Sequence, residues 1–421
     1  MRLTLARHPI TEIQLDGPTR LEGTSLFVDV DELRQALLSD DRLESVDIDV
    51  VRPGENCRAG PVFDIIEPRA KESGFDFPGI LSAPVTAGIG TTHVLEGAAV
   101  TVLDGGPPAG PARSVLEMSG PAAEYSAYSS LQHLVVIPHV RSELPWHAAQ
   151  NATRRAGLRA SVYLAQAGIG QKPALEETFE SVGPAEPGRA GLPRTAYVGQ
   201  LYSRQRTPEV DEQVLYGANT DGMIPMLLHP DEWLDGGVVP SYSAALGGAE
   251  TYFYQNSPVI TDLYRRHHAG ELNFVGTVAT IAGSDNADRD LNCQVAANLT
   301  RWALNADAAV LTKYGGGVPH ADMAETARLL EGLGIRTAVM VSDMSRDRRV
   351  ESALLFNFPE VDAVVYQGGA DTSWPVPPVE RVIAGNTKAA ESLAVSQQLT
   401  ASNIAGVSNQ QGATRLKAAI Y

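Results

Sequence analysis

The residues best suited to chemistry lie between His229 and Ile260, in the stretch HPDEWLDGGVVPSYSAALGGAETYFYQNSPVI, where acids, small hydroxyls, glycines and aromatics crowd together. His229-Pro230 breaks an apolar run that ends at Leu227-Leu228, and acids follow it at once in Asp231-Glu232-Trp233-Leu234-Asp235. Ser243 and Tyr242 add hydroxyls between Gly236-Gly237 and Gly247-Gly248, where backbone turns at little steric cost. The stretch has neither helical nor strand periodicity. It reads either as a site or as a long loop with ordinary turn chemistry, although loops beyond ~12 residues are uncommon unless functional.

Other familiar constellations are weak or missing. Gly315-Gly316-Gly317 follows a strand and precedes a helix, so it could cradle an anion; a plain tight turn is the alternative, and the chain has neither GxGxxG nor GxxxxGK[ST]. His267 and His268 close a predicted helix, where they complement its dipole. No HxH or HExxH pair indicates a metal, and no GxSxG elbow indicates a hydrolase triad. Cys293 sits inside a predicted helix as a small buried residue. With Cys57 it makes neither a CxxC pair nor a disulfide framework, which fits a reducing compartment.

The elements that must position these groups change character along the chain. From Met1 to about Val115 short strand-like runs dominate, among them Leu3-Thr4-Leu5, Ser25-Leu26-Phe27, Val46–Val50 and Ala98–Leu103; one helix is expected over Asp31–Leu43 with Asp29 or Asp31 as cap. A helix over Trp146–Gln166 follows a buried strand at Leu134–Ile137. Lys172–Arg194 reads as a surface excursion without periodicity. From Asn273 strands and helices alternate: strand 274–279, helix 288–304, strand 308–312, helix 320–333, strands 337–341 and 363–366. That rhythm predicts a doubly wound, mostly parallel sheet with ligands gathered at the carboxyl ends of its strands. The expected fold is thus α/β. A β-rich domain spans 1–115, an α/β region carrying the 229–260 stretch spans 116–265, and an α/β domain spans 266–421.

Composition narrows the function. The 421 residues carry a formal net charge of −17, which disfavours nucleic acid or an anionic membrane surface as partner. No apolar run spans a bilayer and no leader is evident, so the cytoplasm is the expected location.

Several ordered strings resemble one family. They are Met1-Arg2-Leu3, Val51-Arg52-Pro53-Gly54-Glu55, Asp64-Ile65-Ile66-Glu67-Pro68-Arg69, Phe77-Pro78-Gly79, Gly90-Thr91-Thr92-His93-Val94-Leu95-Glu96-Gly97, Met118-Ser119-Gly120-Pro121-Ala122-Ala123-Glu124-Tyr125, His229-Pro230-Asp231-Glu232 with Leu234-Asp235-Gly236, and Gln255-Asn256-Ser257-Pro258. Together they resemble the α-subunit proprotein of component B of the glycine, sarcosine and betaine reductases, and more distantly the D-proline reductase proprotein. The resemblance implies a heteromeric enzyme that recognises a small amine or carboxylate substrate, with a β-subunit carrying cysteine or selenocysteine. It also implies self-cleavage before a cysteine in the loop after the HP-E-LDG string, leaving a pyruvoyl group. This chain has no cysteine between Gly236 and Gln255, and Tyr242-Ser243 fall where the scissile pair would be. An intact chain without a cofactor is the expectation; a pyruvoyl derived from Ser243 is the alternative. The resemblance makes Ser243, His229, Glu232 and Asp235 the catalytic candidates. Arg52, Arg69, His93, Glu124 and Tyr242 are the substrate-binding candidates, an arginine fork suiting a carboxylate. No metal is expected.

Overall fold

Alternation of apolar and polar residues, broken by Gly and Pro, resolves the first half into small sheets. In a computed structural model, which describes residues 1–73, 87–106, 114–201, 223–240, 249–282, 286–343, 358, 360–369, 372–412 and 414–416, one four-stranded sheet has the order Leu175–Phe179, Leu3–Pro9, Gly90–Glu96, Arg69–Lys71. A second has the order Leu43–Val51, Gln132–Val140, Ala98–Leu103, Val62–Ile66. The helix Trp146–Ala165 presents Ala152, Ala156, Ala160 and Leu164 to a core shared with Val100, Val102, Leu134 and Val136. Small alanines let that helix approach the sheet closely, and each fully buried Val or Leu contributes roughly 1.5–3 kcal/mol.

The second half carries a six-stranded sheet in the order Met226–Leu228, Asn273–Thr280, Arg194–Gln200, Ala308–Thr312, Arg336–Asp343, Ala363–Gly369. Every neighbouring pair is parallel except Met226–Leu228 with Asn273–Thr280. The expected α/β fold with a mostly parallel, doubly wound sheet is therefore present. Its chain reverses direction across the sheet between Arg194–Gln200 and Ala308–Thr312, the crevice where ligands collect in such sheets. Helices Asn286–Asn298 and Val318–Gly332 cover one face through Ala296, Ala297, Met323 and Leu330. Trp233, Tyr254, Ile260 and Tyr264 cover the other. Tyr197 turns toward this second layer while its neighbours Ala196 and Val198 turn toward the first, as strand alternation requires.

Three departures from the sequence reading have physical causes. The helix expected over 31–43 spans Val30–Leu37, because the Ser39 hydroxyl donates to the Ala36 carbonyl (2.7 Å) and Asp40 pairs with Arg42 (2.7 Å) to start a turn. Its Asp29 cap is as expected, the carboxylate accepting from Asp31 N and Glu32 N. The Lys172–Arg194 excursion contains the strand Leu175–Phe179, an edge strand whose outward glutamates disguise it; Glu177 pairs with Arg7 across the ladder (2.8 Å). The 229–260 stretch folds into short helical turns, Pro230–Glu232, Trp233–Gly237 and Thr251–Gln255, before the helix Pro258–Ala269. A further strand, Arg381–Ala384, returns to pair in parallel with Cys57–Gly60. No described helix is long and apolar enough to cross a membrane.

Candidate functional site

The HPDEWLDG string is a capped turn. His229 Nδ1 accepts the Asp231 N–H (3.2 Å) and Glu232 Oε2 accepts the His229 N–H (2.6 Å), a capping box with Pro230 at the first helical position. Because Nδ1 accepts, the proton sits on Nε2 and is donated to Ser181 Oγ (3.0 Å). Burial pushes His229 down to about 4, so the imidazole is neutral near pH 7.

Three carboxyls follow, each in a different environment. Glu232 is raised by burial and by Asp235, against the His229 N–H that favours its charged form. Asp235 accepts from Thr92 Oγ1 (2.5 Å) and Gly88 N (2.7 Å) and forms a buried ion pair with Lys71, whose ammonium also reaches the Ile89 carbonyl (3.0 Å). It therefore fastens the turn to the Gly90–Glu96 strand. Gly88 is required there: φ is +80°, and a Cβ would lie 2.7 Å from Glu232 N. Asp231 is fully buried, with Oδ1 bonded by the Tyr264 hydroxyl and Oδ2 lying 3.5 Å from His229 Nδ1. Burial pushes it up to about 7, with Asp235 and Glu180 adding to the rise and the Tyr264 bond opposing it. A carboxyl that titrates near neutrality beside a neutral imidazole can hold or release a proton.

Trp233 carries the turn onto the parallel sheet. Its indole packs edge-on to Tyr197 (5.4 Å between centroids), and Tyr197 OH shares a proton with Thr312 Oγ1 (2.7 Å). Gly199 makes room, since a Cβ would meet the Trp233 ring at 2.7 Å.

The other end of the stretch is held by the Asp64–Arg69 string. Thr251 gives both its N–H (2.8 Å) and its hydroxyl (2.6 Å) to buried Asp64, which also pairs with Arg154 (2.6 Å). The Gln255 amide clasps the Glu67 backbone in both directions (2.9 and 3.1 Å), and Asn256 Nδ2 reaches Glu67 Oε2 (3.2 Å). Arg69 bonds Glu67, the Leu234 and Gln255 carbonyls and Asn256 Oδ1. Its fork joins three strings and has its donors occupied by protein groups.

The candidates thus separate. His229, Glu232 and Asp235 share one turn, with Arg69 reaching its Leu234 carbonyl. His93 lies on the other side of its strand from Thr92, stacked on His8 at 5.3 Å with 3.0 Å between ring nitrogens; burial lowers both below the usual histidine range. Arg52 is exposed in a turn where Glu55 accepts its N–H (3.1 Å), and Glu124 is exposed, its carbonyl taking Arg415 (3.1 Å). Ser243 and Tyr242 lie outside the described residues. Asp231 is the group that sequence reasoning passed over; the string names it, but its burial and its Tyr264 partner leave no sequence signal.

A separate cavity of ≈ 10 Å³, room for about one water, opens at the carboxyl ends of the parallel strands between Gln200, Thr280, Thr312, Asn292 and Cys293. Cys293 is buried and raised to about 11 by burial, as suits a structural thiol. Among the described residues no group of three or more His, Cys, Asp or Glu is placed to hold a metal.

Residues 1–411 match the family model described as glycine/sarcosine/betaine reductase component B subunits. The chain is 32% identical over 386 residues to the glycine reductase complex component B subunits alpha and beta of Peptoclostridium acidaminophilum, covering 91% of this chain and 89% of that protein. It is 31% identical over 389 residues to the sarcosine reductase complex component B subunit alpha of the same organism, covering 91% and 89%. The betaine reductase complex component B subunit alpha, again from that organism, is 26% identical over 391 residues, covering 91% and 88%. No solved structure matches significantly. The Asp64–Arg69, His229–Gly236 and Gln255–Pro258 strings, far apart in sequence, meet in one bonded assembly, and with the match along nearly the whole chain they establish that this protein belongs to the family of glycine/sarcosine/betaine reductase component B subunits.

Proposed function

We propose that this chain is the α-like subunit of a heteromeric reductase that binds a small amine or amino-acid-like substrate and works with a second subunit bearing cysteine or selenocysteine. The partner's thiolate or selenolate attacks the substrate's α-carbon; a carbon–sulfur or carbon–selenium bond forms as the carbon–nitrogen bond breaks, and nitrogen leaves with the bonding pair and takes a proton as the amine. The observation that carries this reading is the family correspondence over residues 1–411. In it Asp231 and His229 hold protons, and Arg69, Glu67 and Asp235 position the turn. We place the complex in the cytoplasm, where free thiols such as Cys57 and Cys293 stay reduced. Co-purification tests the reading: the chain should elute in a stoichiometric complex with a thiol- or selenol-bearing subunit, and elution alone in its presence would argue against it.

The pyruvoyl group of the family does not fit this chain in the same form, because no cysteine stands between Gly236 and Gln255. Intact-mass spectrometry should give one species of 44.8 kDa, and borohydride with a labelled amine should leave it unlabelled; two fragments, the one beginning at residue 243 carrying the label, would show that Ser243 does the cysteine's work. The missing cysteine also favours a second reading, an unprocessed, non-catalytic subunit that stabilises or gates its partner. Replacing Asp231→Asn in the complex separates the two, since turnover should fall while the complex still forms only if this chain takes part in the chemistry.

A further inference from the structure

The helix Asn286–Asn298 and the wide turn Leu299–Ala303 that extends it present two faces. Asn292, Cys293, Ala296, Ala297 and Thr300 are buried, a seam of mostly small residues that lets the helix lie close to the parallel sheet. Leu291 and Trp302 turn outward, 53% and 70% exposed, with Val295 half-buried between them. Their spacing of four and seven residues is that of one helical face. Single exposed apolar residues are ordinary on a protein surface, but a continuous apolar stripe marks a contact, and among the described residues Trp302 is the most exposed large apolar side chain.

The stripe also has a shape. At Leu299–Ala303 the helix widens, the Leu304 N–H donating to the Leu299 carbonyl five residues back (3.0 Å), a distortion that recurs at functional positions. There Val295, Asn298, Leu299, Trp302 and Ala303 line an open groove of ≈ 370 Å³. Charge indicates what covers it. Asp290 is exposed at the amino end of the stripe, and Arg301, its guanidinium 5.5 Å from the Trp302 ring centre, flanks the other end. Asp290 and Arg301 are eleven residues apart, as are Leu291 and Trp302. Eleven residues make about three whole turns and ~16 Å, so the members of each pair share a side of the helix but cannot touch within one chain. An antiparallel copy, related by a two-fold axis near Val295 and Ala296, meets like flank with like flank. That arrangement sets Asp290 against Arg301 twice and Leu291 into the groove beside Trp302 twice. The stripe is thus complementary to itself. It also lies on the sheet face opposite Trp233 and Tyr254, so a copy docked here leaves the His229 turn uncovered.

We propose that the Leu291–Trp302 face is an interaction surface occupied by the same face of a second copy of this chain, in an antiparallel two-fold pair. The pairing follows from the fold alone and is read by mass, so it stands or falls apart from the reductase reading. Sedimentation velocity of the full-length chain should give a species of twice 44.8 kDa. Trp302→Glu should weaken the dimer about a hundredfold or more, because tryptophan is a typical interface anchor and each dimer loses two. Its circular dichroism spectrum should be unchanged, since the side chain is largely exposed within one chain. Asp290→Arg and Arg301→Asp each set like charges against one another and should weaken the dimer about tenfold. The double reversal should restore it, a rescue that only the antiparallel register gives. A wild type that sediments as a monomer, or a double reversal no tighter than the single ones, would overturn the pairing. So would a dimer indifferent to Trp302→Glu, and if that variant instead released the thiol-bearing subunit, the face would belong to that subunit.

Discussion

Asp231 and His229 share one turn yet respond to pH in opposite ways. Asp231 has a folded pKa of about 7, above the ordinary carboxylate value, so the folded state binds more protons than the unfolded chain from about pH 4 to 7, and stability falls as pH rises through that window. His229 has a folded pKa of about 4, below the ordinary imidazole value, so the unfolded chain binds more protons between about pH 4 and 6.5, and stability rises with pH there. In the wild type the two slopes offset. Asp231→Asn removes one of them, and urea denaturation of that variant at pH 5 and pH 7 should show a steeper gain in stability with pH than the wild type. Equal slopes would mean that Asp231 does not titrate in the folded protein. Nothing in the string HPDE distinguishes Asp231 from its neighbours; what singles it out is a tyrosine 33 residues away and complete burial. His229 and Glu232, by contrast, could be picked from the string because their partners are local, His229 accepting the Asp231 N–H and Glu232 accepting the His229 N–H.

At the level of elements, the strings that looked like scattered signatures are contact partners. Asp64 and Glu67 hold Thr251, Gln255 and Asn256, while Arg69 ties that clasp to the His229 turn through the Leu234 carbonyl. Removing one partner of a buried ion pair strands the other charge. Arg69→Met should therefore cost about 3–5 kcal/mol in urea denaturation, and Arg69→Met with Glu67→Gln should recover part of that loss because no lone carboxylate remains. A single-variant cost near zero would show that the clasp does not stabilise the fold. Strands such as Ala308–Thr312 were legible because they are buried on both faces and read as continuous apolar runs. Leu175–Phe179 was not, because it borders its sheet and spends its alternation on exposed glutamates.

Over the whole molecule, the α/β fold and its mostly parallel sheet followed from strand and helix spacing after Asn273, whereas the return of Arg381–Ala384 to the Cys57–Gly60 strand is a long-range pairing that no local pattern encodes. That return knits the end of the chain to its first half, helped by buried Arg58, which pairs with Glu117 (2.5 Å) and takes the Leu393 carbonyl (2.7 Å). The resulting body holds the His229 turn against the parallel sheet through Trp233. The proposed role of this body is reductive amine release together with a thiol- or selenol-bearing subunit. The direct measurement is amine released from glycine, sarcosine or betaine by the reconstituted pair with a dithiol reductant. Release that requires both subunits is the predicted result; a stable, reduced complex that releases no amine from any of the three would contradict the account.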